Sequence, residues 1–102
     1  MRELIIHYTP ELLTVMRAKN KKNIALEVAS SNASDFEVTE LYLRFVSDRM
    51  VKELIKKRYR ALETSEGLFL LPPYHLEYDA ELTLGYEKGL LFHHITCQGV
   101  RL

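Results

Sequence analysis

Tyr59-Arg60-Ala61-Leu62-Glu63-Thr64-Ser65-Glu66-Gly67-Leu68-Phe69-Leu70-Leu71-Pro72-Pro73 is the stretch that decides the fold. Two short runs, 59–63 and 68–71, flank Thr64-Ser65-Glu66-Gly67, a hairpin turn with glycine at the position that most needs positive φ. Pro72-Pro73 ends the second strand, because proline has no N–H to give a sheet partner. Downstream, residues 74–79 read as one helical turn or a corner. Glu81 to Tyr86 and Leu90 to Thr96 then read as two strands around a short loop, Glu87-Lys88-Gly89.

Upstream of the hairpin, Ser47-Asp48 can cap a helix with Val51, Leu54 and Ile55 on one face and Lys52, Lys56 and Lys57 opposite. An irregular segment over 48–58 remains the other reading. Leu41, Leu43 and Phe45 alternate with Tyr42, Arg44 and Val46, as in a half-buried strand. Ser30 to Asp35 is small and polar and reads as a loop. Asn23 to Ala29 reads as a strand, with Ile24, Leu26 and Val28 on one side. The N-terminal part gives a strand at 3–8, then a helix with Thr9 as N-cap, Pro10 at the first helical position and Glu11 in the first turn. Arg17, Lys19, Lys21 and Lys22 follow, where cations suit the negative end of the helix dipole.

The pattern predicts an α+β domain over 1–102: a strand and a helix near the N-terminus, then a mostly antiparallel sheet of short strands. A length of 102 residues gives one domain, and 47% hydrophobic residues give it a core. Fourteen basic residues balance 14 acidic ones, which argues against a general nucleic-acid binder needing excess cations. The single cysteine, Cys97, has no internal disulfide partner, so a reducing compartment, the cytoplasm, is expected. No apolar run approaches the ~18–20 residues that cross a bilayer, and residues 1–7 do not read as a signal peptide; no membrane partner is expected.

Several of these residues also resemble a known family. Tyr59-x3-Glu63-Thr64-x2-Gly67-Leu68-Phe69-Leu70, followed by Tyr74-x3-Tyr78-Asp79-x-Glu81-Leu82-Thr83-Leu84, is similar to the HesB-like family, which includes the A-type carriers of iron–sulfur cluster assembly. Ile5-Ile6-His7-Tyr8-Thr9-Pro10-Glu11-Leu12-Leu13 resembles that family's first strand and capped helix, and Leu90 to His94 its last aromatic-bearing strand. The resemblance implies a compact β-sandwich-like domain with one or two flanking helices. It also implies three cysteine ligands, one mid-chain and two in Cys-Gly-Cys near the C-terminus. This chain lacks that set: Cys97-Gln98-Gly99 stands alone near the expected end. One thiol per chain does not hold a cluster conventionally.

The candidate metal ligands are Cys97, His93 and His94. On a strand, His93 and Cys97 share a face about 13 Å apart while His94 points away, so a common metal requires a turn between them. Otherwise the histidines are ordinary strand residues and Cys97 a small apolar filler. Lys56, Lys57 and Arg58, joined by Lys52, Arg60 and the cations of 17–22, could form a basic patch for an acidic partner. The plainer reading is a solvated helix face. Tyr74 and Tyr78 mark a corner that either packs on the sheet or binds a partner. No carboxylate pair, phosphate loop or nucleophile–base set occurs, so no enzyme and no catalytic residue is expected. The expected function is that of a HesB-like accessory or binding protein, with iron or an iron–sulfur cluster as the cofactor to test. The alternative is a metal-free protein–protein interaction domain acting as homodimer or adaptor.

Overall fold

The triplets Ile24-Ala25-Leu26 and Phe69-Leu70-Leu71 are unbroken apolar runs because their strands are covered on both faces. A computed structural model, describing residues 4–33 and 36–102, gives the chain order β1 (Ile5–Tyr8), α1 (Pro10–Lys19), β2 (Asn23–Ala33), β3 (Phe36–Val46), α2 (Asp48–Lys56), β4 (Arg60–Glu63), β5 (Leu68–Leu71), β6 (Glu77–Lys88) and β7 (His93–Arg101). A three-stranded sheet has the order β1-β6-β7 and a four-stranded sheet the order β3-β2-β5-β4. β1 joins β6 and β2 joins β5 in parallel, and the other three pairings are antiparallel.

Alternation along the central strands sorts their side chains into two cores. Ile24, Leu26, Phe69 and Leu71 meet Leu82, Leu84 and Ile95 of the other sheet, together with Leu12 and Met16 of α1. Ala25 and Leu70 face the opposite way, onto Val51 and Leu54 of α2. The result is a two-sheet sandwich with α2 laid on the outside of the larger sheet, the α+β architecture expected.

Both helices begin at capping residues that the sequence offers. Thr9 Oγ1 accepts from the Leu12 N–H at 3.3 Å, and Ser47 Oγ accepts from the Met50 N–H at 3.1 Å. α1 stops at Asn20, whose φ of 53° is the left-handed cap conformation. The helical alternative for 48–58 is therefore correct over Asp48–Lys56, but Ile55 is half-exposed instead of sharing the buried face. Val51 and Leu54 suffice to cover the sheet, and Ile55 lies about 100° around the helix from Leu54.

The deciding hairpin is present in register, Glu63 opposite Leu68 and Arg60 opposite Leu71. Its turn is closed by Thr64 N–H donating to Gly67 O at 2.9 Å, and Gly67 adopts φ 152°. The hairpin packs on the turn after α1, so closely that a Cβ on Gly67 would sit 2.1 Å from the Lys22 carbonyl oxygen.

Three expectations are corrected. Residues 30–33, read as loop, continue β2, and β3 begins at Phe36 instead of 41; Ser30 pairs with Thr39 and Ala33 with Phe36. Ladder bonds to the neighbouring strand override the turn preference of these small residues, while residues 34 and 35 of that loop lie outside the described residues. Of the two readings of 74–79 the corner holds and the helical turn does not, and its bounds shift: Pro72 to Leu76 is the corner, and β6 starts at Glu77 by pairing with Arg101. The last hairpin turns at Gly89–Phe92, not at 87–89. Glu87 pairs with His94 and Lys88 with His93, and Gly89 N–H donates to Phe92 O at 2.7 Å. Leu90, Leu91 and Phe92 thus leave the strand and form its tip.

Candidate functional site

β7 carries the candidate ligands, and it runs as a strand from His93 to Arg101 with no turn between them. His93 and Cys97 therefore stay about 13 Å apart, four residues along the strand. His94 Nε2 lies 3.3 Å from Glu87 Oε2 across the hairpin, and the His93 ring leans on Tyr86 with centroids 6.1 Å apart. His7 Nε2 meets Glu81 at 2.9 Å, and His75 is exposed at the corner. His7 lies on β1, His75 at the corner and His93 and His94 on β7, and among the described residues no three His, Cys, Asp or Glu side chains converge as metal ligands.

Cys97 is partly buried in a cleft of about 350 Å³ between the edge strands β3 and β7, lined by Leu26, Leu41, Leu43, Ile95 and Val100. Burial pushes its thiol up to about 11, away from the thiolate that binds metal or attacks an electrophile. The cleft is apolar on its inner side, with Tyr42 and His94 on its rim. Such a pocket suits an apolar side chain or small apolar ligand, not a charged one.

The cationic residues do not assemble as one patch. The end of α1 meets the start of α2, where Lys22 Nζ lies 3.7 Å from Asp48 and Lys21 borders Ser47. Lys56, Lys57 and Arg58 stand at the far end of α2, about 12 Å along its axis. Lys56 is 3.7 Å from Glu53, and Arg58 holds a left-handed φ of 70° as the helix terminates. Tyr74 is half-exposed at the corner, while burial raises the phenol of Tyr78, which packs against the main core. Tyr78 thus packs on the sheet, while Tyr74 stays accessible.

Two features escaped the sequence reading. Glu27 on β2 is buried, and its Oε2 accepts from Arg44 Nε at 3.1 Å and Nη2 at 3.0 Å, while Oε1 has no hydrogen-bond partner. Burial, with the Glu27 carboxylate beside it, pushes the Tyr59 phenol up to about 12. Only the β2–β3 register, which sets Glu27 opposite Tyr42 and Ala25 opposite Arg44, reveals this cluster. The second feature is the hairpin tip, hidden because Leu90-Leu91-Phe92 reads as strand.

No protein-family model matches this sequence. No curated protein matches it either. Among solved structures, the fold is similar to that of SufA from Escherichia coli, described as involved in the biosynthesis of iron–sulfur clusters. The superposition has a TM-score of 0.53 at 13% identity and covers 93% of this chain and 80% of that one. The chain thus shares a distant, SufA-like fold, and at that identity the likeness concerns the fold alone.

Proposed function

We propose that this chain is a divergent HesB-like domain acting as an accessory or binding protein in iron–sulfur metabolism, without being a conventional cluster carrier. The SufA-like fold supports the connection. The observation that carries the negative half is the state of the sole thiol: partly buried, pushed up to about 11, and separated from the histidines by an unbroken strand. A cluster wants several thiolates at one point. The apolar cleft beside Cys97 gives the domain a surface for a partner's side chain in place of a cluster. The reading contains no catalytic step.

Anaerobic reconstitution with iron and sulfide, read by absorption spectra and metal analysis, tests it. The expected protein is colourless and iron-free, the same as Cys97→Ser. Charge-transfer bands with near-stoichiometric iron, lost in Cys97→Ser, would overturn it, because they mean a cluster bridged between chains. The accessory role further requires a saturable binding isotherm with a cluster-loaded carrier of this fold. No binding there removes the iron–sulfur connection and leaves the metal-free interaction domain, which the half-exposed Tyr74 favours. That alternative expects Tyr74→Ala to weaken a self- or partner complex.

A further inference from the structure

The described residues hold one run of three consecutive, strongly exposed large apolar side chains: Leu90, fully exposed, Leu91 at 84% and Phe92 at 76%. They sit on the tip of the β6–β7 hairpin, past the last ladder pair Lys88–His93, held by the Gly89-to-Phe92 backbone bond. Nothing in the fold needs them there, since neither core includes them. At about 150 Å² for each large side chain the tip offers roughly 450 Å², within the ~300–600 Å² of the largest apolar patch on an ordinary monomer, a patch that is often functional.

The surroundings of the tip are cationic. Lys88 flanks it in sequence, and Lys19 at the end of α1 reaches the same side, lining one cleft with Lys88, His93 and Tyr86. Among the described residues neither lysine has a carboxylate within ion-pair distance, and the one acid beside the tip, Glu87, is engaged by His94 at 3.3 Å. Two copies meeting tip to tip would bury about 900 Å², short of the ~1,200–2,000 Å² of stable interfaces. A convex apolar tip also asks a protein partner for a matching hole. A bilayer asks for none: it takes three apolar side chains at the headgroup boundary while lysines around them meet anionic headgroups.

We propose that the Gly89–Phe92 tip, with Lys19 and Lys88 around it, is a docking surface for an anionic lipid bilayer. The expectation of no membrane partner rests on the lack of a crossing segment, and a tip that enters only the headgroup boundary needs none. This inference stands independently of any iron–sulfur role.

The chain has no tryptophan, so Phe92→Trp places a single reporter at the tip. It is titrated with vesicles of phosphatidylcholine alone, and with about a quarter phosphatidylserine added. The expected result is a blue shift and co-sedimentation with the anionic vesicles, roughly thirtyfold tighter than with the neutral ones from two lysines. Leu90→Ser with Leu91→Ser abolishes sedimentation, and Lys19→Glu with Lys88→Glu lowers anionic binding to the neutral level. An unshifted emission with both vesicles overturns the proposal, as does sedimentation that survives the serine pair. Light-scattering masses read out the competing occupant: a dimer dissolved by the serine pair, without vesicle binding by the parent chain, overturns the proposal in favour of self-association. Should the serine pair fail to fold, the tryptophan reporter and the lysine pair still decide.

Discussion

Gly67→Ala is the substitution that most directly tests how the two halves of the chain are joined. Gly67 sits at φ 152°, where an L side chain is strained, at about 1–2 kcal/mol. Its new Cβ would lie 2.1 Å from Lys22 O and 2.7 Å from Lys22 C, both backbone atoms that cannot swing aside. The hairpin must therefore retreat by more than an ångström from the turn between α1 and β2. That movement breaks the bond from Leu68 N–H to Asn23 Oδ1, now 3.2 Å, and strands a buried amide oxygen. An orphaned buried polar group costs about 1–3 kcal/mol. Together the losses reach about 2–5 kcal/mol, a large part of the ~5–15 kcal/mol that holds a domain of this size. Urea unfolding followed by far-UV circular dichroism measures it, with Gly89→Ala as the comparison. At Gly89 the added Cβ meets Phe92 O at 2.9 Å in an exposed turn that is free to relax, so the expected loss stays under ~1.5 kcal/mol. A Gly67→Ala loss below ~1 kcal/mol, or one no larger than that of Gly89→Ala, would refute the reasoning.

Cys97, with its thiol raised from 9.0 to about 11, should react with iodoacetamide at pH 8 about 100-fold more slowly than an exposed thiol, and at the ordinary rate once urea unfolds the chain. Because the folded state keeps this proton longer than the unfolded state, the stability tied to it is complete below pH 9 and fades between pH 9 and about 11; Cys97→Ala should flatten that part of the alkaline curve, and an unchanged curve would count against the burial. Asn23→Ala should cost about 2–3 kcal/mol in the same urea assay, since it removes both the 2.9 Å bond to Asp48 and the acceptor of Leu68 N–H; a loss within ~0.5 kcal/mol would show that Asn23 does not tie α2 and β5 to the start of β2.

The start of α1 and the central hairpin were legible, and the start of α2 was one of two readings, because their causes are local. Thr9-Pro10 and Ser47-Asp48 are capping sequences whose partners lie three residues on, and Thr64 to Gly67 closes its own turn. The 30–33 segment was misread for the opposite reason: its strand conformation comes from a partner strand, not from Ser30-Ser31-Asn32-Ala33 themselves. The last turn was misplaced by the same mechanism. Glu87-Lys88-Gly89 carries a turn signal, yet cross-strand pairing extends β6 through Lys88 and moves the reversal onto Leu90-Leu91-Phe92. The candidate ligands Cys97, His93 and His94 were visible as residue types, but whether they converge depended on β7 staying extended across all three.

By itself the sequence determined the α+β class, the N-terminus of α1, the Gly67 hairpin, the apolar character of the central strands and the lack of a three-cysteine ligand set, and it offered Ser47-Asp48 as one of two readings of 48–58. These follow from backbone chemistry within a few residues and from side-chain alternation. Tertiary structure alone decided which strands are neighbours. The parallel joints β1–β6 and β2–β5 link residues more than 40 positions apart, and no local preference encodes such a pairing. From the packing of those sheets follows the burial of Cys97 between β3 and β7, while the β2–β3 register makes the Glu27–Arg44 pair and the placement of α2 divides the cations between its two ends. The exposed tip follows too, because an apolar run becomes surface only when the fold leaves it no neighbour.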